Sequence, residues 1–284
     1  MDIVFIDETF DLNQTKSYHI SIQAGLNGYS FSVLDPLRNK YILLKHYAFP
    51  AGFTAELLEE KIAELNKNDE FLTREYKSSL FSFQSPRYTL IPGPLFSKDN
   101  LKDYFEFNHY LEDLDEIHYN TLKSVDAFNV FVIPAEISNL FHRSLGTVRF
   151  FNHITPFIER ALIHYGGRKA GKTVLANVYG SNADILVIEG DKLLFCNTFP
   201  WKTEEDIGFF VLYVFEQMKL GGEDTPLILS GEIGKHHAAY DLLKMYIEKL
   251  SFEKRNDHFI YSYTFNDIEQ HWFSTLFNLR LCVS

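Results

Sequence analysis

The chain has 284 residues, with 27 Lys and Arg against 38 Asp and Glu, and a net charge of −11. At 46% hydrophobic and 23% charged it is neither disordered nor fibrous, and its acidity argues against a nucleic-acid binder, which needs clustered cations. At roughly 150 residues per domain the length suggests about two domains.

Two cysteines, Cys196 and Cys282, cannot build a disulfide framework. The opening stretch MDIVFIDETFD is acidic and lacks the basic region of a signal peptide. The longest apolar run, Ile207 to Phe215, is far short of the ~18 residues that span a bilayer. A cytoplasmic protein with no direct membrane insertion is expected.

Tyr18–Leu26 alternates polar and apolar residues and predicts a strand; Asn27-Gly28 is a type I′ hairpin signal, and Tyr29–Leu34 is the return strand. Lys40–Tyr47 is a third strand, and Pro50-Ala51-Gly52 breaks the chain. Thr54 caps a helix over Ala55–Leu65, with Leu57, Leu58, Ile62 and Leu65 at helical spacing. Strands follow at Ser79–Phe83 and Tyr88–Ile91. In the middle, Ser97–Tyr110 reads as helical and Glu112–His118 as an acidic loop. Phe128–Ile133 reads as a strand, and Pro134 starts a helix through Leu140. A helix over Ile154–Tyr165 leads into the second half.

There the order repeats. Strands are predicted at Thr173–Tyr179, Asp184–Ile188 and Lys192–Phe199, with turns at Gly180-Ser181-Asn182 and Glu189-Gly190-Asp191. A helix begins near Thr203, with Glu204 and Glu205 at its positive end, and stops at Gly221-Gly222. A strand over Pro226–Leu229, the turn Ser230-Gly231-Glu232 and a helix over His237–Leu250 follow, and Phe265–Leu279 reads as an aromatic helix. Phe209, Phe210, Tyr213, Phe215, Trp272, Phe273 and Phe277 are expected in the core, as is Cys196.

Three meandering strands followed by helix, strand and helix describe a ribonuclease-H-like unit. Two such units in tandem resemble the actin-like ATPase superfamily, which includes sugar kinases, the chaperone ATPase and bacterial cell-division and pilus-assembly relatives. The fold expected is therefore α/β: tandem duplicated ribonuclease-H-like units in an actin-like ATPase fold. The lobes would be 1–150 and 151–284, the C-terminal helix packing back on the first. The whole resembles an uncharacterised bacterial family of this fold with no assigned activity.

The resemblance implies MgATP held between two hairpins, each with an Asp that organises the metal and a Gly that lets backbone N–H groups approach phosphate. Here Gln23 and Asn177 stand where the acids belong. Gly25 is retained, Tyr179 stands at the second glycine unless the turn has slipped to Gly180, and the adenosine turn Ser230-Gly231 continues into Glu232. Gln23, Gly25, Asn177, Gly180, Ser230 and Gly231 are thus the candidate nucleotide-binding residues, with no catalytic or metal residue assigned. An amide carries no negative charge for Mg²⁺ and cannot serve as a general base. The expectation is no resident cofactor, with MgATP as the alternative, and a protein partner for a binding or scaffold role. The rival reading is a divergent ATPase or phosphotransferase using Asp184 or Glu232 as a replacement carboxylate.

Gly166–Thr173 matches the phosphate-loop pattern GxxxxGK[ST], but the mechanism needs a strand before the loop and a helix after it. The predicted order is the reverse. His109, Glu112, Asp113, Asp115, Glu116 and His118 lack the fixed spacing of a metal site and read as a solvated loop. Asp7 and Asp11 have no partner by spacing, and His236-His237 opens a helix.

Overall fold

The computed structural model describes residues 2–50, 52–167 and 171–283. The chain divides into two compact units. One comprises Met1–Pro156, Asn256–Asp267 and Thr275–Ser284; the other comprises Phe157–Arg255 and Ile268–Ser274.

In the first unit, β1 (Ile3–Ile6), β2 (His19–Gly25), β3 (Gly28–Asp35), β4 (Lys40–Ala48), α1 (Ala55–Asn68) and β5 (Ser78–Phe83) come in order. β6 (Tyr88–Pro92), α2 (Leu101–Glu106), β7 (Asp115–Leu122), β8 (Ala127–Pro134), α3 (Ala135–Leu145) and β9 (Val148–Asn152) follow. The main sheet runs β1-β4-β3-β2-β5-β9; β2, β3 and β4 form an antiparallel meander, and β2-β5 and β5-β9 are parallel. β9 runs across residue 150, where the sequence divided the lobes. A separate sheet has the order β6-β8-β7.

α4 (Ile154–Tyr165) leads to β10 (Lys172–Tyr179), β11 (Asn182–Glu189) and β12 (Lys192–Pro200), then α5 (Glu204–Gln217), β13 (Leu227–Gly231), α6 (Ala238–Tyr246) and β14 (Leu250–Phe252). The second unit's sheet is β12-β11-β10-β13-β14, with β10-β13 and β13-β14 parallel. This repeats β4-β3-β2-β5-β9 strand for strand, which is the duplication expected. The chain ends with β15 (Ile260–Tyr261), parallel to β4, and α7 (Ser274–Asn278) between two 3₁₀ turns.

Alternation along β10 and β11 sorts the residues. Val174, Ala176 and Val178 with Ala183, Ile185 and Val187 line one face and pack with Val211 and Val214 of α5 and Leu243 of α6. Each such buried aliphatic contributes about 1.5–3 kcal/mol. The α5 N-terminus is held by Asp206, whose carboxylate accepts from the backbone N–H groups of Lys202 at 3.0 Å and Thr203 at 2.9 Å. Glu204 does not cap its own helix; it accepts from Ala238 N–H at 2.6 Å, at the start of α6.

Several expectations need correction. The hairpin after β2 is not type I′. Gly25 pairs with Gly28, leaving Leu26-Asn27 as the loop, and neither has positive φ. The acidic stretch after Glu112 becomes β7 from Asp115 onward, because Arg87 neutralises Asp115 through paired bonds of 3.2 and 2.6 Å. The helix after Ser97 shrinks to α2 and short 3₁₀ turns, the helix from His237 ends at Tyr246, and Phe265–Leu279 is not one helix but is broken at 268–273 between a 3₁₀ turn and the five-residue α7. Phe209 is 61% and Tyr213 45% exposed, not core, and Cys196 on edge strand β12 is half-buried. Asp7 does have partners: Lys40 at 2.6 Å and the Thr9 hydroxyl at 2.6 Å. Burial raises its pKa, yet these donors outweigh it and hold the carboxyl far below the usual range.

Candidate functional site

In the first unit, β2 places Gln23 at 6% exposure, and its side-chain oxygen accepts from the Thr275 hydroxyl at 2.8 Å. The chain thus supplies its own donor to the amide, across 252 residues. Gly25, two residues on, has no room to spare. A Cβ there would lie 2.8 Å from Gln84 Cβ and 3.0 Å from Asn27 Oδ1. The space its missing side chain leaves is filled by protein atoms.

In the second unit, β10, β11 and β13 bring Asn177, Asp184 and Ser230 onto one face, since Asn177 pairs in register with both Asp184 and Ser230. All three are at most 3% exposed. The Asn177 amide donates to Asp184 Oδ2 at 3.3 Å, and its oxygen accepts from the Ser230 hydroxyl at 3.2 Å. Asp184 Oδ1 accepts from Thr198 Oγ1 at 2.7 Å and from the Tyr179 hydroxyl at 3.3 Å. A buried carboxylate is therefore held by three uncharged donors, which is how such a group is stabilised without a cation. Burial, and then the charge of Asp184, push the Tyr179 phenol well above its usual pKa.

The turn after β13 is shaped by a close backbone approach. Gly231 has φ +82°, and a Cβ there would sit 2.1 Å from the Val178 carbonyl oxygen. Its N–H donates to His271 O at 3.0 Å. The next residue, Glu232, donates its own N–H to Val178 O at 2.7 Å, and its carboxylate accepts from the Gly180 N–H at 3.2 Å. Gly180 (φ +49°) opens the two-residue turn between β10 and β11. The Gly180 turn amide thus already has an anionic partner from the chain.

Sequence placed Asn177, Gly180, Ser230 and Gly231 together through the resemblance, and the structure does gather them in the second unit. It missed that Asp184 lies opposite Asn177 and that Glu232 reaches Gly180, 52 residues away. The first needs strand register, which the two-residue turn Gly180-Ser181 between alternating runs could have supplied.

The phosphate-loop match is in the wrong setting: α4 comes before it and β10 after it. Arg168, Lys169 and Ala170 of that match lie outside the described residues. His109 bonds to Tyr88 O at 2.8 Å, and His118 stacks on Phe131 at 5.7 Å, burial lowering its pKa. Among the described residues no group of three or more His, Cys, Asp or Glu could hold a metal ion, and no helix is long and apolar enough to cross a membrane.

Comparison with solved structures identifies the class. A Bacteroides thetaiotaomicron protein with an actin-like ATPase fold and unknown function is similar at a TM-score of 0.79 and 25% identity, over 86% of this chain and 94% of that one. The PilM–PilN type IV pilus biogenesis complex matches at 0.58 and 13%, over 94% and 98% of the two chains. The ethanolamine utilization protein EutJ from Carboxydothermus hydrogenoformans matches at 0.52 and 12%, over 97% and 92%. This is a protein of actin-like ATPase fold, built from ribonuclease-H-like units. Residues 7–250 match the family model described as Protein of unknown function (DUF3822), and the chain belongs to that family. No curated protein matches it.

Proposed function

We propose that this protein is a non-catalytic binding or scaffold protein with a degenerate nucleotide site. The observation that carries this is the Glu232 carboxylate on the Gly180 N–H. An anion held at that amide opposes a phosphate both by occupying the donor and by charge. Gln23 and Asn177, which replace the expected acids, are engaged by Thr275 and by Asp184 and Ser230. Two neutral amides in place of carboxylates do not fit MgATP. A protein partner is the remaining role for the fold, and PilM offers a parallel, its structure being that of a complex with PilN.

The competing reading is a divergent ATP-binding protein, favoured by the position of Asp184 beside Asn177. A thermal-melt titration with ATP, with and without Mg²⁺, separates the two. A ligand at ~100 times its dissociation constant stabilises by about 2.7 kcal/mol, which moves the midpoint by roughly 2 °C or more in a chain of this size. The expected result is no magnesium-dependent shift at millimolar nucleotide; a shift of that size overturns the proposal.

A further inference from the structure

The segment between α2 and β7 in the first unit carries the most exposed aromatic residues of the described chain. Phe107 is 87%, Tyr110 80% and Leu114 62% exposed, all within eight residues after α2. Exposed apolar side chains at this density cost solvation and mark interaction surfaces.

The segment that bears them is tightly fixed. Asn108 and His109 donate their N–H groups to Phe105 O at 3.2 and 3.0 Å, and His109 Nε2 bonds Tyr88 O at 2.8 Å. Arg87 then closes the loop from both ends. Its guanidinium donates to Tyr110 O at 2.5 Å and to both Asp115 oxygens at 3.2 and 2.6 Å, while its face lies 5.5 Å from the Phe105 ring. Tyr110 and Asp115 are thus drawn to one guanidinium, and Leu114 O accepts from Ala135 N–H at 2.8 Å. A flexible loop would bury its aromatics; this one is built to present them. Such rigidity lowers the ordering cost of binding.

Charge names the occupant. From 103 to 116 the chain has six acidic residues and no Lys or Arg. Asp115 is neutralised by Arg87, which Glu112 also approaches at 3.6 Å, and Glu106 pairs with Lys102 at 3.7 Å; Asp103, Glu106, Glu112, Asp113 and Glu116 are all solvent-exposed, so the segment keeps a net negative charge. A second copy meeting this face would set acid against acid, and an anionic bilayer or nucleic acid would be repelled.

We propose that the 107–114 loop is a docking surface for a partner polypeptide whose aliphatic anchors are flanked by Lys and Arg. This rests on the binding-protein reading above and gives its partner a chemistry.

The test is a fluorescence-anisotropy titration of the full chain with a labelled amphipathic Lys/Leu peptide. A Glu/Leu peptide of equal length and polylysine serve as controls. The Lys/Leu peptide should bind, more weakly at higher salt. The triple variant Phe107→Ser, Tyr110→Ser, Leu114→Ser should lose about tenfold or more in affinity, the loss expected of aromatic anchors. A Phe209→Ser, Tyr213→Ser variant, altering the exposed aromatics of α5, should bind as wild type does. All five side chains are exposed, so both variants should melt as wild type does. Equal binding by the triple variant overturns the proposal, as does equal binding of either control peptide. So does a concentration-dependent dimer, or adsorption to phosphatidylserine vesicles, that the triple variant abolishes. ATP turnover would defeat the non-catalytic reading and leave this titration unaffected, so the two failures are distinguishable.

Discussion

Asn177→Asp introduces the acid that the proposed nucleotide-site reading calls for, and it would set that acid against the buried Asp184 carboxylate. The Asn177 amide lies 3.3 Å from Asp184 Oδ2, with both residues at most 3% exposed. Two carboxylates at that separation repel by roughly 5 kcal/mol at an effective dielectric of about 20. The pair can escape by keeping one proton. Holding a carboxyl of ordinary pKa protonated at pH 7 costs about 1.4 kcal/mol for each of roughly three pH units, so the relaxed cost is about 4 kcal/mol. The cost shrinks as pH falls toward 5, where the shared proton is taken up more readily. Urea denaturation of wild type and variant at pH 7 and pH 5 measures this, with and without millimolar Mg²⁺. The expected outcome is a loss of about 3–5 kcal/mol at pH 7, smaller at pH 5 and not repaired by Mg²⁺. A pH-independent loss under about 1 kcal/mol would refute the reasoning. Full rescue by Mg²⁺ would show a latent metal site and favour the ATPase reading.

Gly231→Ala forces a Cβ to within 2.1 Å of the Val178 carbonyl at φ +82°, and should destabilise by about 2 kcal/mol or more in chemical denaturation. Glu253 and Arg160 form a buried pair at 3.1 Å, each side chain 2% exposed, with Ser274 also donating to Glu253 at 2.6 Å. Glu253→Ala should cost about 3–5 kcal/mol by stranding the arginine, and Arg160→Met on top of it should recover part of that. His46, which bonds the Ser30 hydroxyl at 2.8 Å, has its pKa lowered by burial from 6.5 to about 4. Its neutral form is the one the fold holds, so its contribution is complete above pH 6.5 and is lost as pH falls toward 4. The stability–pH slope in that window approaches ~1.4 kcal/mol per unit for such a group, and His46→Gln should flatten it.

The second unit was legible because its grammar is local. β10 and β11 are largely apolar runs bounded by turn residues, and Gly180 and Gly190 open two-residue turns with positive φ. The first unit hid more. β1 and β9 are four and five residues long, too short to show a period, and their pairing comes from distant strands. β7 looked like a loop because Asp115 finds Arg87 only in three dimensions. The aromatic tail looked helical, yet Phe273 takes φ +57° and α7 has only five residues. At the candidate site the residues themselves were visible, whereas their partners were not. Thr275 reaches Gln23 across 252 residues and Glu232 reaches Gly180 across 52, distances at which sequence carries no pairing signal.

The most direct test of the central claim is the amide resonance of Gly180 in a two-dimensional NMR spectrum. If Glu232 caps that N–H, Glu232→Gln should move the Gly180 peak, and millimolar MgATP should leave the wild-type peak in place. A Gly180 peak that shifts on adding MgATP to wild-type protein, while ignoring the Glu232 substitution, would contradict the account.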